Sequence, residues 1–204
     1  AYVSRAMARA NAGADRLALA DFTESIRLKK DNIPAFAGRA RAQLTLGNQT
    51  EAINDYSEAI RLSPVSVELY IERGHAFTVS GNADAAIRDL TEAIRINPRS
   101  WSAFNERGMA NAKKRDFVRA EEDYTKAISI VPFPIIYANR GYVYAADGKN
   151  EDAIKDLRKA LQGDPNLVEA KNTLQRLGAT GPITGETERR VRQGEALAAK
   201  NCSS

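Results

Sequence analysis

The chain has 204 residues, 43% hydrophobic and 27% charged, which suits a packed core and excludes global disorder. With 30 Lys and Arg against 26 Asp and Glu the net charge is only +4, so charge gives no reason to expect a nucleic-acid partner despite a pI near 9.2. One Cys (Cys202) and one His (His75) exclude a disulfide framework, a thiolate zinc cage and a multi-histidine metal site, and no apolar run approaches the roughly 18–20 residues that span a bilayer.

Two series of short runs recur along the chain. VSRAMA (3–8), AGRARA (37–42), IERGHA (71–76), NERGMA (105–110) and ANRGYV (138–143) form the first. ALADFTESIRL (18–28), AINDYSEAIRL (52–62), AIRDLTEAIRI (86–96), AEEDYTKAISI (120–130) and AIKDLRKALQG (153–163) form the second, with starts 34, 34, 34 and 33 residues apart. Each unit therefore holds two segments of helical spacing.

The first unit, 1–32, predicts helices around Tyr2 and Phe22 with a turn at Gly13, and has Lys30 where later units have Pro. In the second, 33–66, Phe36, Ala40 and Gln43 stripe one helix, and Leu46-Gly47-Asn48 interrupts it. Ala52, Tyr56, Ala59 and Ile60 stripe the next helix, and Pro64 stops it. The third, 67–100, repeats this with Tyr70, Gly81, Leu90 and Pro98. The fourth, 101–133, has Phe104 and Tyr124 but lacks the turn Gly, carrying Lys113-Lys114-Arg115-Asp116 instead, which predicts strain. It is one residue shorter and leaves through Val131-Pro132-Phe133-Pro134. The fifth, 134–167, has Tyr137, Gly148, Leu157 and Pro165. Residues 168–177 predict a solvating capping helix, 178–185 a Gly-rich linker, and 186–204 a short helical tail.

Arg recurs at 5, 39, 73, 107 and 140, and Asp follows sixteen residues later each time, at 21, 55, 89, 123 and 156. In the third unit both lie eight residues from Gly81, so an antiparallel helix pair brings them level. Charges on semi-buried stripes need partners. The expectation is five structural pairs, Arg5–Asp21, Arg39–Asp55, Arg73–Asp89, Arg107–Asp123 and Arg140–Asp156. The competing arrangement pairs each Asp with the next unit's Arg.

In the second unit the order Phe36, Ala40, Ala52, Tyr56, Ala59, Pro64 resembles the tetratricopeptide repeat, and the resemblance covers residues 1–167. One departure is consistent: Arg stands before the first-helix Gly, where the family usually has Leu. The resemblance implies an all-α fold, a right-handed superhelix of five helix-turn-helix repeats with a C-terminal capping helix and tail. It also implies a concave face lined by first-helix positions, here Met7, Arg41, Glu68, Ile71, Glu72, His75, Asn105, Met109, Lys113, Asn139 and Tyr142. That mixture of apolar and charged residues suits an extended peptide or a partner helix. The Lys and Asn set with which some members hold a C-terminal carboxylate is missing. No nucleophile elbow, dinucleotide fingerprint or phosphate loop appears. The expected function is a non-catalytic protein–protein interaction scaffold with a protein or peptide ligand and no nucleic acid. Self-association by stacking of arrays is an alternative.

A second, shorter resemblance sits at the end. Residues 194–201, GEALAAKN, followed by Cys202, resemble the first helix of a cytochrome c running into its haem-attachment motif. That motif needs a second Cys and a His, so no cofactor is expected in this chain. The resemblance implies that a longer parent chain carries haem c on Cys202 and works as an electron-transfer protein. A periplasmic or other extracytoplasmic location goes with that reading, and a cytoplasmic one with its absence.

Overall fold

The computed structural model describes residues 1–179, which form eleven α-helices and no strand. In chain order these are α1 (Tyr2–Asn11), α2 (Asp15–Leu28), α3 (Ile33–Thr45), α4 (Gln49–Leu62), α5 (Val67–Val79) and α6 (Ala83–Ile96). Then come α7 (Trp101–Lys113), α8 (Phe117–Ile130), α9 (Pro134–Ala146), α10 (Asn150–Gly163) and α11 (Val168–Arg176). The chain forms two compact units, Ala1–Val131 with α1–α8 and a second from Pro132 onward with α9–α11. No helix among the described residues is long and apolar enough to cross a membrane. The tail 186–204, Cys202 with its haem-attachment reading, and all but the first two residues of the linker 178–185 lie outside the described residues.

In the first unit α1, α3, α5 and α7 each pack on the helix that follows them, and α2, α4 and α6 each pack on the first helix of the next repeat. Small residues allow these approaches: Ala6, Ala18, Ala40, Ala52, Ala86 and Ala120 are fully buried. Large side chains fill the space beside them, and Phe22, Tyr56, Leu90 and Tyr124 are all but inaccessible. Core clusters run across repeats, as where Phe36, Tyr56, Ile60 and Leu69 pack together from three successive helices. Stability is therefore shared between a repeat and its neighbours, as stacked arrays require. In the second unit Ala138 of α9, Leu157 and Ala160 of α10, and Ala170 and Leu174 of α11 form one cluster. The capping helix closes it while Val168 stays exposed.

Turn chemistry sets the helix boundaries. The α5–α6 turn places Gly81 at φ +83°, and Asn82 N–H donates back to Phe77 O at 2.9 Å, closing the last turn of α5. Asn82 then caps α6 by accepting from Ala85 N–H at 3.2 Å. In the fourth repeat the same left-handed position falls on Arg115, at φ 62° the one non-glycine residue with positive φ among those described. Its guanidinium lies over the Phe117 ring at 5.5 Å, which offsets part of the strain.

Candidate interaction surface

In each repeat an arginine of the first helix holds an aspartate of the second, and in the first repeat Arg9 joins Arg5 on Asp21 at 2.7 Å. The Arg5–Asp21 and Arg140–Asp156 pairs close to 2.6 Å, and Arg39–Asp55, Arg73–Asp89 and Arg107–Asp123 to 2.7 Å. Nε and Nη2 together grip both carboxylate oxygens, as in Arg73 to Asp89 at 2.7 and 2.9 Å. Each guanidinium also stacks on the aromatic ring three residues before it: Tyr2, Phe36, Tyr70, Phe104 or Tyr137. In the second, third and fourth repeats the remaining nitrogen leaves the repeat. Nη1 donates to the preceding second helix, from Arg39 to Thr23 at 3.2 Å, Arg73 to Ser57 at 2.9 Å and Arg107 to Thr91 at 3.1 Å. Asp21, Asp55 and Asp89 do not take the next repeat's Arg, because that Arg meets their helix at a hydroxyl. Arg5 departs from the semi-buried expectation. Its side chain is 55% exposed, against 20% for Arg73.

The face made by the first helices is wired differently. Arg41 on α3 pairs with Glu72 on α5, and His75 on α5 meets Glu106 on α7, Nδ1 to Oε2, at 3.0 Å. Both spacings are 31 residues, one repeat less one helical step, so each pair bridges successive first helices. Arg41 and His75 are exposed, whereas Glu72 and Glu106 are largely covered. The Glu72 Oε2 atom is buried without a hydrogen-bond partner. Behind it lies Tyr56, whose phenol is pushed up by burial first and by the Glu72 charge second. Lys113 on α7 donates to the Thr78 carbonyl at 2.9 Å, near the end of α5.

The other expected groove residues divide. Met7 on α1 is exposed, and Glu68 in the first turn of α5 is exposed with its carboxylate 3.3 Å from the Ser66 hydroxyl. Asn105, Met109 and Asn139 are half-buried on α7 and α9. Ile71 packs against Ala86, Leu90 and Ala110, so it serves the core as much as the face. Tyr142 packs onto the cluster that α11 completes, and burial followed by the Glu169 charge raises its phenol. The spacing that could have revealed the bridging pairs, 31 rather than 34, appears only once the stacking offset is known.

The His75 pair makes stability pH-dependent. The Glu106 hydrogen bond, opposed by partial burial, holds the imidazole above the usual histidine range, with Lys113 lowering and Glu72 raising it further. A pKa raised on folding adds stability that is complete below the unfolded value of about 6.5 and disappears as pH rises through the folded value. With His75 46% exposed, the expected effect is small, roughly 0.3–1 kcal/mol. Urea unfolding at pH 5.5 and pH 8.5 should show the wild type gaining this much at low pH relative to His75→Gln. Identical pH profiles would remove the pair as a contributor.

Family comparison agrees with the geometry. The TPR repeat family matches residues 40–81, and the Tetratricopeptide repeat families match 71–135 and 135–167. No protein of curated function matches the sequence. Among solved structures, a thermophilic TPR protein of Thermus thermophilus superposes with a TM-score of 0.71 at 21% identity, over 86% of this chain and 96% of that one. MamA from Desulfovibrio magneticus RS-1 gives 0.72 at 16%, over 81% and 94%. YrrB, described as a TPR protein with an unusual peptide-binding site, gives 0.67 at 20%, over 85% and 90%. Among the described residues no group of three or more His, Cys, Asp and Glu could hold a metal ion. The repeats and their structural neighbours support a protein–protein interaction scaffold, a role this fold generally fills without catalysis. With its matches running unbroken from residue 40 to residue 167 and five arginine-held helix pairs of one pattern, the chain belongs to the tetratricopeptide-repeat family.

Proposed function

We propose that this protein binds an extended peptide or a helix of a partner protein on the face formed by its first helices. The observation that carries this reading is the exposed, exchangeable wiring of that face. Arg41 and His75 each hold a mostly covered carboxylate across a repeat boundary from an exposed position. A partner's polar groups can compete for Glu72 and Glu106 without breaking the core. The second helices offer less, since Glu24–Arg27, Glu58–Arg61 and Glu92–Arg95 close on themselves three residues apart. The peptide-binding description of YrrB, a protein of the same fold, supports a peptide rather than a small molecule. The test is retention of source-extract proteins on the immobilised chain. Glu72→Arg reverses the covered charge and should lose the bound set, while Arg61→Glu on a second helix should keep it. Equal retention by both variants would overturn the reading.

A further inference from the structure

One cavity is lined by none of the residues of the bridging pairs on the first-helix face. It has a volume of about 300 Å³, at the lower end of the range for ligand sites, and is lined by Ile87, Arg107, Asn111, Arg119, Glu122 and Asp123. It thus sits between α6 and the α7–α8 pair. The repeat explains its origin. In the third repeat the residue four after the arginine is Phe77, and Arg73 lies between two rings, Tyr70 at 5.9 Å and Phe77 at 5.8 Å. The fifth repeat does the same with Tyr137 at 5.9 Å and Tyr144 at 5.7 Å around Arg140. In the fourth repeat the equivalent residue is Asn111. It is short, and its amide is drawn onto Asp123 Oδ2 at 3.0 Å. Arg107 keeps the ring before it, Phe104 at 5.7 Å, and has no ring after it. The first and second repeats carry the longer Arg9 and Gln43 at this position.

From this geometry we infer that the Asn111 cavity is a binding site for an aromatic side chain, Phe or Tyr, of a partner protein, which stacks on Arg107 as Phe77 and Tyr144 stack on their own arginines. The chemistry is a guanidinium beside a flat apolar ring, with the aliphatic Ile87 supplying a wall. The molecule makes this arrangement twice with its own residues, so both Phe and Tyr satisfy it. Arg107 and Asp123 are paired with each other and Arg119 with Asp116 at 3.1 Å, while the Glu122 carboxylate is exposed to water. An uncharged ring therefore enters without leaving a buried charge unpaired.

The site is distinct from the first-helix face, and its failure is separable from failure of that reading. Amide shifts of the ¹⁵N-labelled full chain are followed while p-cresol, and separately the blocked tripeptide acetyl-Gly-Tyr-Gly-amide, is added to millimolar concentration. Both probes should move the amides of Ile87, Asn111, Arg119 and Glu122. Asn111→Phe supplies the ring from within and should abolish these shifts, as should Asn111→Gln, which installs the side chain of the second repeat and covers the case in which the Phe variant does not fold. Glu72→Arg should leave them unchanged. Three results would overturn the proposal: no shift at these residues, shifts that persist in the filled variants, or shifts from p-cresol without shifts from the peptide.

Discussion

Asp89→Ala should destabilise the protein by about 3 kcal/mol, read as a lower urea midpoint at unchanged slope. The carboxylate is 8% exposed and takes two hydrogen bonds from Arg73, at 2.7 and 2.9 Å. Its removal leaves a guanidinium held between Tyr70 and Phe77 and tied to Ser57, with no counter-charge. Breaking a fully buried pair from one side costs roughly 3–5 kcal/mol. Arg73 retains 20% side-chain exposure, so water reaches the orphaned charge and the lower end of that range applies. Because Arg73 also holds α4 through Ser57, hydrogen exchange should accelerate in α4 as well as in α5 and α6. Arg73→Met with Asp89→Leu removes both charges together and should recover most of the loss, since apolar replacement of a whole buried pair is often neutral. A midpoint for Asp89→Ala equal to wild type would mean that the pair adds nothing to that repeat.

The pairs inside one repeat were legible because their geometry depends only on two antiparallel helices and a turn. Arg73 and Asp89 are equidistant from Gly81, and two helices joined there have no other register. The wiring between repeats was not legible. Arg41 reaches Glu72, and His75 reaches Glu106, because stacking shifts each first helix by three residues against the last, and one chain read linearly does not contain that offset. The same blindness applied to Thr23, Ser57 and Thr91, the points where Arg39, Arg73 and Arg107 grip the preceding second helix. It also hid Asn111, whose importance lies in the ring it does not supply. Tyr142 also packs on the cluster that α9, α10 and α11 share, a contact with the helix after its own repeat that periodicity does not show. Repeat arithmetic thus recovers what recurs, and it loses the positions where one repeat differs from the others or where two of them meet.

Gly38→Ala should destabilise the protein by about 2 kcal/mol, although helix propensity alone argues the opposite. Gly38 lies in the interior of α3, where Ala is preferred by about 1 kcal/mol. A Cβ there would stand 2.3 Å from Phe22 Cζ and 2.5 Å from Cε1. Phe22 cannot withdraw, being 1% exposed and enclosed by Ala6, Ala18 and Ala35. Forcing a methyl into such a core costs about 1–3 kcal/mol, and contact with several atoms of a fixed ring places this site at the upper end. About 3 kcal/mol of overpacking less about 1 of helix gain leaves the net loss. The third repeat shows the remedy. Its second helix carries Leu90 at the position of Phe22, and the first helix that follows carries Glu106 at the position of Gly38. Phe22→Leu should therefore make room, and the double variant should be more stable than the sum of the two single losses by at least about 1 kcal/mol, measured as a double-mutant cycle in urea. If Gly38→Ala instead raises the midpoint as propensity demands, the Phe22 ring does not press on α3 at Gly38.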